Sequence, residues 1–305
     1  GRHGRYGRHD VAFTLKFEYQ RAARLIVRPF FYGNSVSLPD LQKIAKIIES
    51  VAATEIVPRF GELQISDITE KRPGDAGNLV TTADLEAEKA LTHRLEDALP
   101  GSVAIGEEAI EADPNMLNTL DGDSPVWLID PVDGTSNFAS GREPFVVLVS
   151  LIINRETIAG WIYVPMENRM AVVSKGDGAF CNGERMQVAP SDPFEEAFGS
   201  AHASGWGREY RELVRPKFAR FGKMINYHCA GYDFLQLASG NKHFSLYRAL
   251  FPWDHAAGVL MHKEAGGYMA LLGNEVYSGG DTVRGLLATP DETFWTEIVA
   301  YLKPI

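Results

Sequence analysis

Apolar residues recur along this chain at two spacings, and the change from one to the other outlines its elements. Leu41, Ile44, Ile48, Val51 and Ala52 fall three or four positions apart, the repeat that turns one face of a helix into a core. Ser37, with Asp40 three residues on, resembles a capping box at the start of that helix. Leu79 to Thr81 reads as a short strand that runs into a second helix with Leu85, Ala90, Leu91 and Leu95 inward, stopped by Pro100 and Gly101. "SVAIGEEA" then predicts a strand ending in two glutamates, and strands follow at 126–130, 145–153, 158–164 and 170–174. "GDGAFCNGERM" carries the Gly-Asp-Gly and Asn-Gly signals of hairpin turns. Beyond about residue 190, at "APSDP", short strand candidates in "AFGSAHAS", "KMINYH", "YMALLG" and "GLLATP" alternate with helix-like stretches at 208–221, 231–240 and 254–265. The expected fold class is α+β or α/β: helices on an antiparallel sheet over 37–190, and an α/β half over 191–305.

Composition narrows the function classes. Of 305 residues, 45% are hydrophobic and 23% charged, the balance of an ordinary globular chain rather than a disordered, collagen-like or coiled-coil one. A formal net charge of −10 disfavours nucleic acid and anionic membranes as partners, since phosphate backbones reward excess Lys and Arg. Cys181 and Cys229 lack ligand spacing and read as reduced thiols, and no apolar run approaches the ~20 residues of a membrane span, so a soluble, cytoplasmic protein is expected. Residues 1–36 differ from the rest, rich in Arg and His and nearly free of acids. They are expected to be an extension outside the main fold.

The chemistry concentrates in "WLIDPVDGTSNF", residues 127–138. Proline at 131 has no backbone N–H and a fixed φ, so the chain is expected to leave the strand after Asp130 and turn, bringing Asp133 back beside it. Two adjacent carboxylates with no Lys or Arg between them repel, and share a proton or take up a cation. Hard oxygen ligands favour Mg²⁺, Mn²⁺ or Ca²⁺ over zinc. Gly134 would let the backbone approach a ligand, and Thr135, Ser136 and Asn137 would open a helix whose N–H groups receive an anion. The same residues also compose an ordinary solvated turn. Glu107 and Glu108 close an apolar strand, and Asp254 follows Pro-Trp at a helix start; each has an everyday reading too, as loop charge or helix cap. His255 would point about 100° away from Asp254 on a helix, and Gly266-Gly267 reads as the end of that helix.

Taken in order, "LVTTADLEAE", "GEEA", "WLIDPVDGTSNF", "GAFCNGERM", "PWDHAAG" and "EAGG" resemble the inositol monophosphatase family over roughly residues 38–305. The resemblance implies a layered α-β-α-β-α sugar-phosphatase fold, a homodimer, and hydrolysis of a small phosphate monoester by metal-activated water without a covalent nucleophile. It implies Glu107, Asp130, the carbonyl of Val132, Asp133 and Asp254 as ligands of two or three Mg²⁺ ions, with lithium as an inhibitor. Gly134, Thr135 and Ser136 would cradle the phosphate, and Asp84 would pair with Thr135, unless it serves as a helix cap. Glu107, Thr135 and Asp84 would then serve catalysis, and Asp133, Ala230 and Tyr247 the substrate.

An inositol phosphate or similar polyol or sugar phosphate is the expected substrate, with histidinol-phosphate, fructose-bisphosphate and nucleotide 3′-phosphate hydrolysis as rivals within the family and a non-catalytic binding protein as the rival outside it. One departure bears on the choice. Tyr247 stands where inositol-hydrolysing members carry a hydroxyl-gripping carboxylate, and a phenol lacks the paired charged acceptors for vicinal hydroxyls. With Lys242, His243 and Arg248 nearby, the expectation is a leaving group bearing a second anion. A chain lacking residues 1–36 is expected to fold and turn over as the full chain does, checked by comparing kcat at equal concentration.

Overall fold

The structure, a computed structural model, describes residues 31–32, 36–37, 39–71, 78–202, 212–272 and 285–302. The chain falls into two units, Gly1–Leu41 and Gln42–Ile305. In the first, β1 (Phe31–Tyr32) and β2 (Val36–Ser37) pair antiparallel. Ser37 therefore lies in a strand, and the first helix, α1 (Leu41–Val51), begins only after Pro39. Proline keeps the residue before it out of the α region, which removes the expected start at Ser37.

In the second unit Ile44, Ala45, Ile48 and Val51 form the buried face of α1. β3 (Ile68–Glu70) pairs with β4 (Leu79–Thr81), which enters α2 (Thr82–Ala98). A seven-stranded sheet follows from β5 (Val103–Gly106), β6 (Val126–Asp133), β7 (Val146–Ile153), β8 (Glu156–Val164), β9 (Arg169–Ser174), β10 (Gly178–Cys181) and β11 (Glu184–Arg185), with α3 (Glu107–Ala112) and α4 (Thr135–Ala139) at strand ends. Neighbours in it are consecutive and antiparallel except β5 with β6. The Asn182-Gly183 turn between β10 and β11 has both residues at positive φ, 48° and 87°, as a two-residue hairpin needs.

The second sheet runs in the order β13 (Lys223–Met224), β12 (Phe198–His202), β14 (Phe244–Tyr247), β16 (Leu286–Thr289) and β15 (Tyr268–Leu271). Between the sheets lie α5 (Ala230–Ala238) and α6 (Pro252–Glu264), and α7 (Glu292–Leu302) follows β16. Alternation on the strands decides the layers. Val146, Leu148, Ile162 and Val173 face Phe234, Leu237, Ala257 and Met261 of the central helices, whose other side meets Leu271, Leu286 and Ala288. Phe244, Leu246 and Leu287 turn the opposite way, onto Phe294, Ile298 and Leu302 of α7. With α2 packed on β5 and β6, the sum is five layers, α-β-α-β-α.

Two further expectations change. Leu85 is half exposed, while Asp84, Ala87, Glu88, Leu91 and Leu95 make the buried face of α2; two carboxylates have taken the phase expected for apolar residues. Of the helix expected over 208–221, Arg215–Arg220 is a 3-10 helix with Pro216 in its first turn, and 203–211 lies outside the described residues. The helix at 254–265 is α6, and Gly266 beyond it takes φ +92°, the left-handed cap position.

His262 on α6 is fully buried, with Nε2 donating to the Thr289 carbonyl at 2.8 Å. Burial lowers its pKa from the usual 6.5 to about 4, outweighing its backbone contacts. A depressed histidine pKa means that, below pH 6.5, the unfolded chain takes a proton that the folded chain refuses. The contribution is intact above that pH and is lost as pH falls toward 4, amounting to about 2 kcal/mol between pH 7 and 5. The raised carboxylates Asp84, Glu108 and Asp133 act in the opposite sense over this range, so the check is a difference: urea unfolding at the two pH values is expected to show His262→Gln losing about 2 kcal/mol less than the native chain, and equal pH dependence would contradict it.

Candidate active site

Pro131 does not end β6. The strand continues to Asp133, and its register against β7 slips between Asp130, opposite Leu148, and Asp133, opposite Val146. Three steps on β6 span two on β7, which is a β-bulge. In a regular strand residues three apart face opposite ways; the extra residue restores the phase, and both carboxylates come to one side. Proline is tolerated because β5 pairs with β6 only as far as Ile129, leaving that edge without a ladder for Pro131 to break.

Beside Asp130, α3 delivers Glu107 and α6 delivers Asp254, and one carboxylate oxygen of each lies within 4.8 Å of the others. Asp130 is held well above the usual carboxylate range, by burial first and then by the charges of Glu107, Asp254 and Asp133. Asp254 is raised likewise, by burial and then by Asp133 and Glu107. Glu108 is pushed up to about 8 by burial and Glu107. Lys71 Nζ sits 2.5 Å from Glu107 Oε1 and 2.7 Å from Glu108 Oε1. Burial opposes its charge, but the two glutamates outweigh that and raise its pKa. Among the described residues Lys71 is the one cation in contact with this cluster. An all-oxygen set, costly to ionise and underneutralised, fits a hard divalent cation.

Asp133 is not part of that triad of oxygens. Oδ1 accepts from Ala230 N–H (3.1 Å) and Oδ2 from Gly231 N–H (2.5 Å) and the Cys229 thiol (3.2 Å). These bonds oppose the effect of burial, and its pKa stops at about 6. Gly134 follows at φ +92°, where a Cβ would lie 3.1 Å from the Pro144 carbonyl and 3.3 Å from Cys229 Cβ; glycine alone fits. Thr135 Oγ1 donates to the Val132 carbonyl at 3.0 Å and lies 3.3 Å from Asp84 Oδ1. Asp84 uses its other oxygen on Thr81 N–H and Oγ1, at 2.9 and 2.5 Å, as the third helical residue of a capping box whose cap is Thr81. The cap and the link to Thr135 thus coexist on one carboxylate. Burial, opposed by Thr81 and reinforced by Glu107, raises Asp84 to about 7. Ser136, half-buried in the first turn of α4, accepts at its carbonyl from Ser140 Oγ.

The second sheet and α5 carry the remaining residues expected at the substrate. Tyr247 is buried at the end of β14 and Ala230 opens α5. Two of the cations expected to receive a second anion are already engaged. Lys242 is fully buried against Asp233 Oδ1 and donates to Ser200 Oγ at 2.8 Å. His243 accepts from Phe198 N–H and lies 3.0 Å from Asp192. Arg248, after β14, is half-buried. His255 is buried with its ring edge-on to Tyr247 and Phe234.

Lys71 and Glu88 went unnoticed in the sequence, and Cys229 was read there only as a reduced thiol. Glu88 Oε2 accepts from Glu108 N–H at 2.9 Å and Oε1 from Ala109 N–H at 3.0 Å, so one buried carboxylate fixes the first turn of α3 and with it Glu107. Gly106 leaves room for it, since a Cβ there would meet Glu88 Cδ at 2.1 Å. Its only sequence signal is its place one turn after Asp84, on the buried face. Supports of this kind are worth 10–100-fold in metal affinity. Glu88→Ala is expected to weaken Mg²⁺ binding by about tenfold or more, with Glu88→Gln closer to the native chain; titration calorimetry checks this, and an unchanged Kd in Glu88→Ala would contradict it.

Comparison with known proteins agrees with this geometry. The model of the inositol monophosphatase family matches residues 40–300. The chain is similar to an inositol-1-monophosphatase of Caulobacter vibrioides, 35% identical over 246 residues that cover 77% of this chain and 89% of that one. It is 28% identical to a fructose-1,6-bisphosphatase/inositol-1-monophosphatase of Aquifex aeolicus, over 82% of this chain and 92% of the other. The solved Thermotoga maritima IMPase superposes with a TM-score of 0.73 at 25% identity, covering 86% of this chain and 96% of its own. With the family model spanning the same stretch that carries the bulged strand and its carboxylates, the chain belongs to the inositol monophosphatase family, a Mg²⁺-dependent phosphatase of phosphate monoesters.

Proposed function

We propose that this chain hydrolyses an inositol phosphate or a similar small polyol or sugar phosphate, with Glu107, Asp130, Asp254, Asp133 and the Val132 carbonyl as the groups that hold Mg²⁺. The observation that carries the reading is the convergence of Glu107, Asp130 and Asp254 from three separate elements. Similarity to relatives named as inositol-1-monophosphatases supports the substrate class. When bound, Mg²⁺ supplies acidification of a water and neutralisation of charge on the phosphate and leaving oxygens.

The chain's own groups account for the rest. Loose phosphoryl transition states ask a protein mainly for positioning and charge neutralisation. Asp130, anchored by its own bond to Val132 N–H at 3.0 Å, stands at the centre of the carboxylates. Thr135 Oγ1 has both the Val132 carbonyl and Asp84 Oδ1 within reach of its one hydrogen; with that hydrogen turned to Asp84 it would accept from the attacking water and orient it, and Asp84 would receive the proton through it. Gly134, Thr135 and Ser136 open α4, and in this reading the N–H groups at that end of the helix face the phosphate. Ala230 and Tyr247 border the leaving group.

A scaffold protein on this fold would gain nothing from burying three repelling carboxylates, so the catalytic reading is favoured over a binding module. Phosphate release from inositol 1-phosphate is expected to vanish in excess EDTA, and Asp130→Asn to lose more than about a hundredfold in kcat/KM, beyond the 10–100-fold typical of supporting residues. Activity in EDTA, or native turnover in the variant, would contradict the assignment.

A further inference from the structure

The polar atoms around Tyr247 at the end of β14 point to one residue. β12 and β14 are parallel, with His202 and Tyr247 as register partners at the same sheet end. Their rings stack at 4.8 Å and 16°, and Phe234 stacks on Tyr247 at 5.0 Å. His202 Nε2 lies 2.5 Å from Asp233 Oδ2, while Asp233 Oδ1 is taken by Lys242. Asp233 sits three residues after Ala230 on α5, the helix whose first N–H groups hold Asp133. Tyr247 also meets the ring of His255, the neighbour of Asp254, at 5.0 Å, so the cluster adjoins the two elements, α5 and α6, that hold Asp133 and carry Asp254.

Asp233 and Lys242 have no exposed side-chain surface, whereas that of His202 is 17% exposed. The cluster therefore meets solvent through the imidazole. A carboxylate only accepts, so Nε2 carries the hydrogen in that bond, and in the neutral ring Nδ1 is left as an acceptor. Among the described residues nothing donates to it. Beside it the Tyr247 hydroxyl is buried without a hydrogen-bond partner of good geometry. The Lys242 charge is cancelled by Asp233, so a second anion would find no free cation in this cluster.

Resting on the polyol-phosphate reading above, we infer that His202 is the specificity-determining residue for the leaving group: its Nδ1 accepts a hydrogen bond from a hydroxyl of an uncharged alcohol portion, the part that a carboxylate plays elsewhere. Asp233 and Lys242 are positioning residues that fix the ring and its tautomer. This departs from the expectation of a second anion, because two of the three cations behind it are engaged, Lys242 by Asp233 and His243 by Asp192.

The test is kcat and KM, with Mg²⁺, for inositol 1-phosphate, phenyl phosphate and fructose 1,6-bisphosphate in the native chain, His202→Ala and His202→Asn. In His202→Ala the kcat/KM ratio of inositol 1-phosphate over phenyl phosphate is expected to fall about tenfold, the worth of one hydrogen bond to a buried group, with the change in KM. His202→Asn, which keeps an acceptor, should hold part of the ratio and serves alone if the alanine variant does not fold. An unchanged ratio, or an equal loss of kcat on both substrates, overturns the assignment. So does a native preference for the bisphosphate that is lost with His202, because the imidazole would then act as a cation. If the native chain releases phosphate from phenyl phosphate but not from inositol 1-phosphate, this inference fails while the phosphatase stands; no release from any substrate sinks both.

Discussion

Mutual repulsion among buried carboxylates is the constraint on which the rest of this molecule depends. Asp130 has Glu107, Asp254 and Asp133 within reach of its charge and little water to screen them. Such a group cannot be fully ionised in the folded state without a partner of opposite sign. Among the described residues Lys71 supplies the one positive charge in contact, at Glu107 and Glu108, and it offsets the burial and repulsion at Asp254 only in part. The architecture holds in place a set of acids that would otherwise part, and a divalent cation is the species that makes the arrangement favourable.

The supports are local and each has a physical cause. A bulge at Pro131 sets the phase of β6 so that Asp130 and Asp133 share a side. Glu88 ties down the first turn of α3 beneath Glu107, and Asp84 closes the start of α2 while reaching Thr135. Asp133 is held by three donors at the start of α5, which joins the metal end of the first sheet to the helix that carries Asp233 in its first turn. In the proposed reading, metal-holding and substrate-facing residues therefore meet at α5. This is why the buried face of α2 contains two acids: the helix is positioned by its packing but used for its carboxylates, and the apolar pattern yields at those two turns.

Much of the site was legible in the sequence, because its chemistry is carried by short segments. "DPVDGTSNF" holds both aspartates, the left-handed glycine and the Thr135 hydroxyl in one stretch, although the turn expected after Asp130 is a bulge in a continuing strand, and strand and helix periodicities around it were strong enough to place β5 to β9, α5 and α6. The capping of α1 was misread because Ser37 and Asp40 have the right spacing for a box but Pro39 lies between them. Leu85 was misread because periodicity assumes that buried positions are apolar. Lys242 and His243 were read as free cations because a sequence shows charges without their partners; Asp233 is nine residues from Lys242, and Asp192 fifty-one from His243.

What the sequence by itself determined is the set of residue types and the local backbone they require: acids at strand ends, glycine where φ is positive, helices and strands in their order. These depend on neighbours within a few positions, and such neighbours are covalently guaranteed. What only the tertiary structure decided is which charges meet. Glu107, Asp130 and Asp254 converge from separate elements, Glu88 finds the N–H groups of Glu108 and Ala109, and His202 finds Asp233 and the face of Tyr247. Electrostatic and hydrogen-bond energies fall off within a few ångströms, so they are set by distances in space, and no spacing along the chain fixes those before the two sheets and their helices have packed.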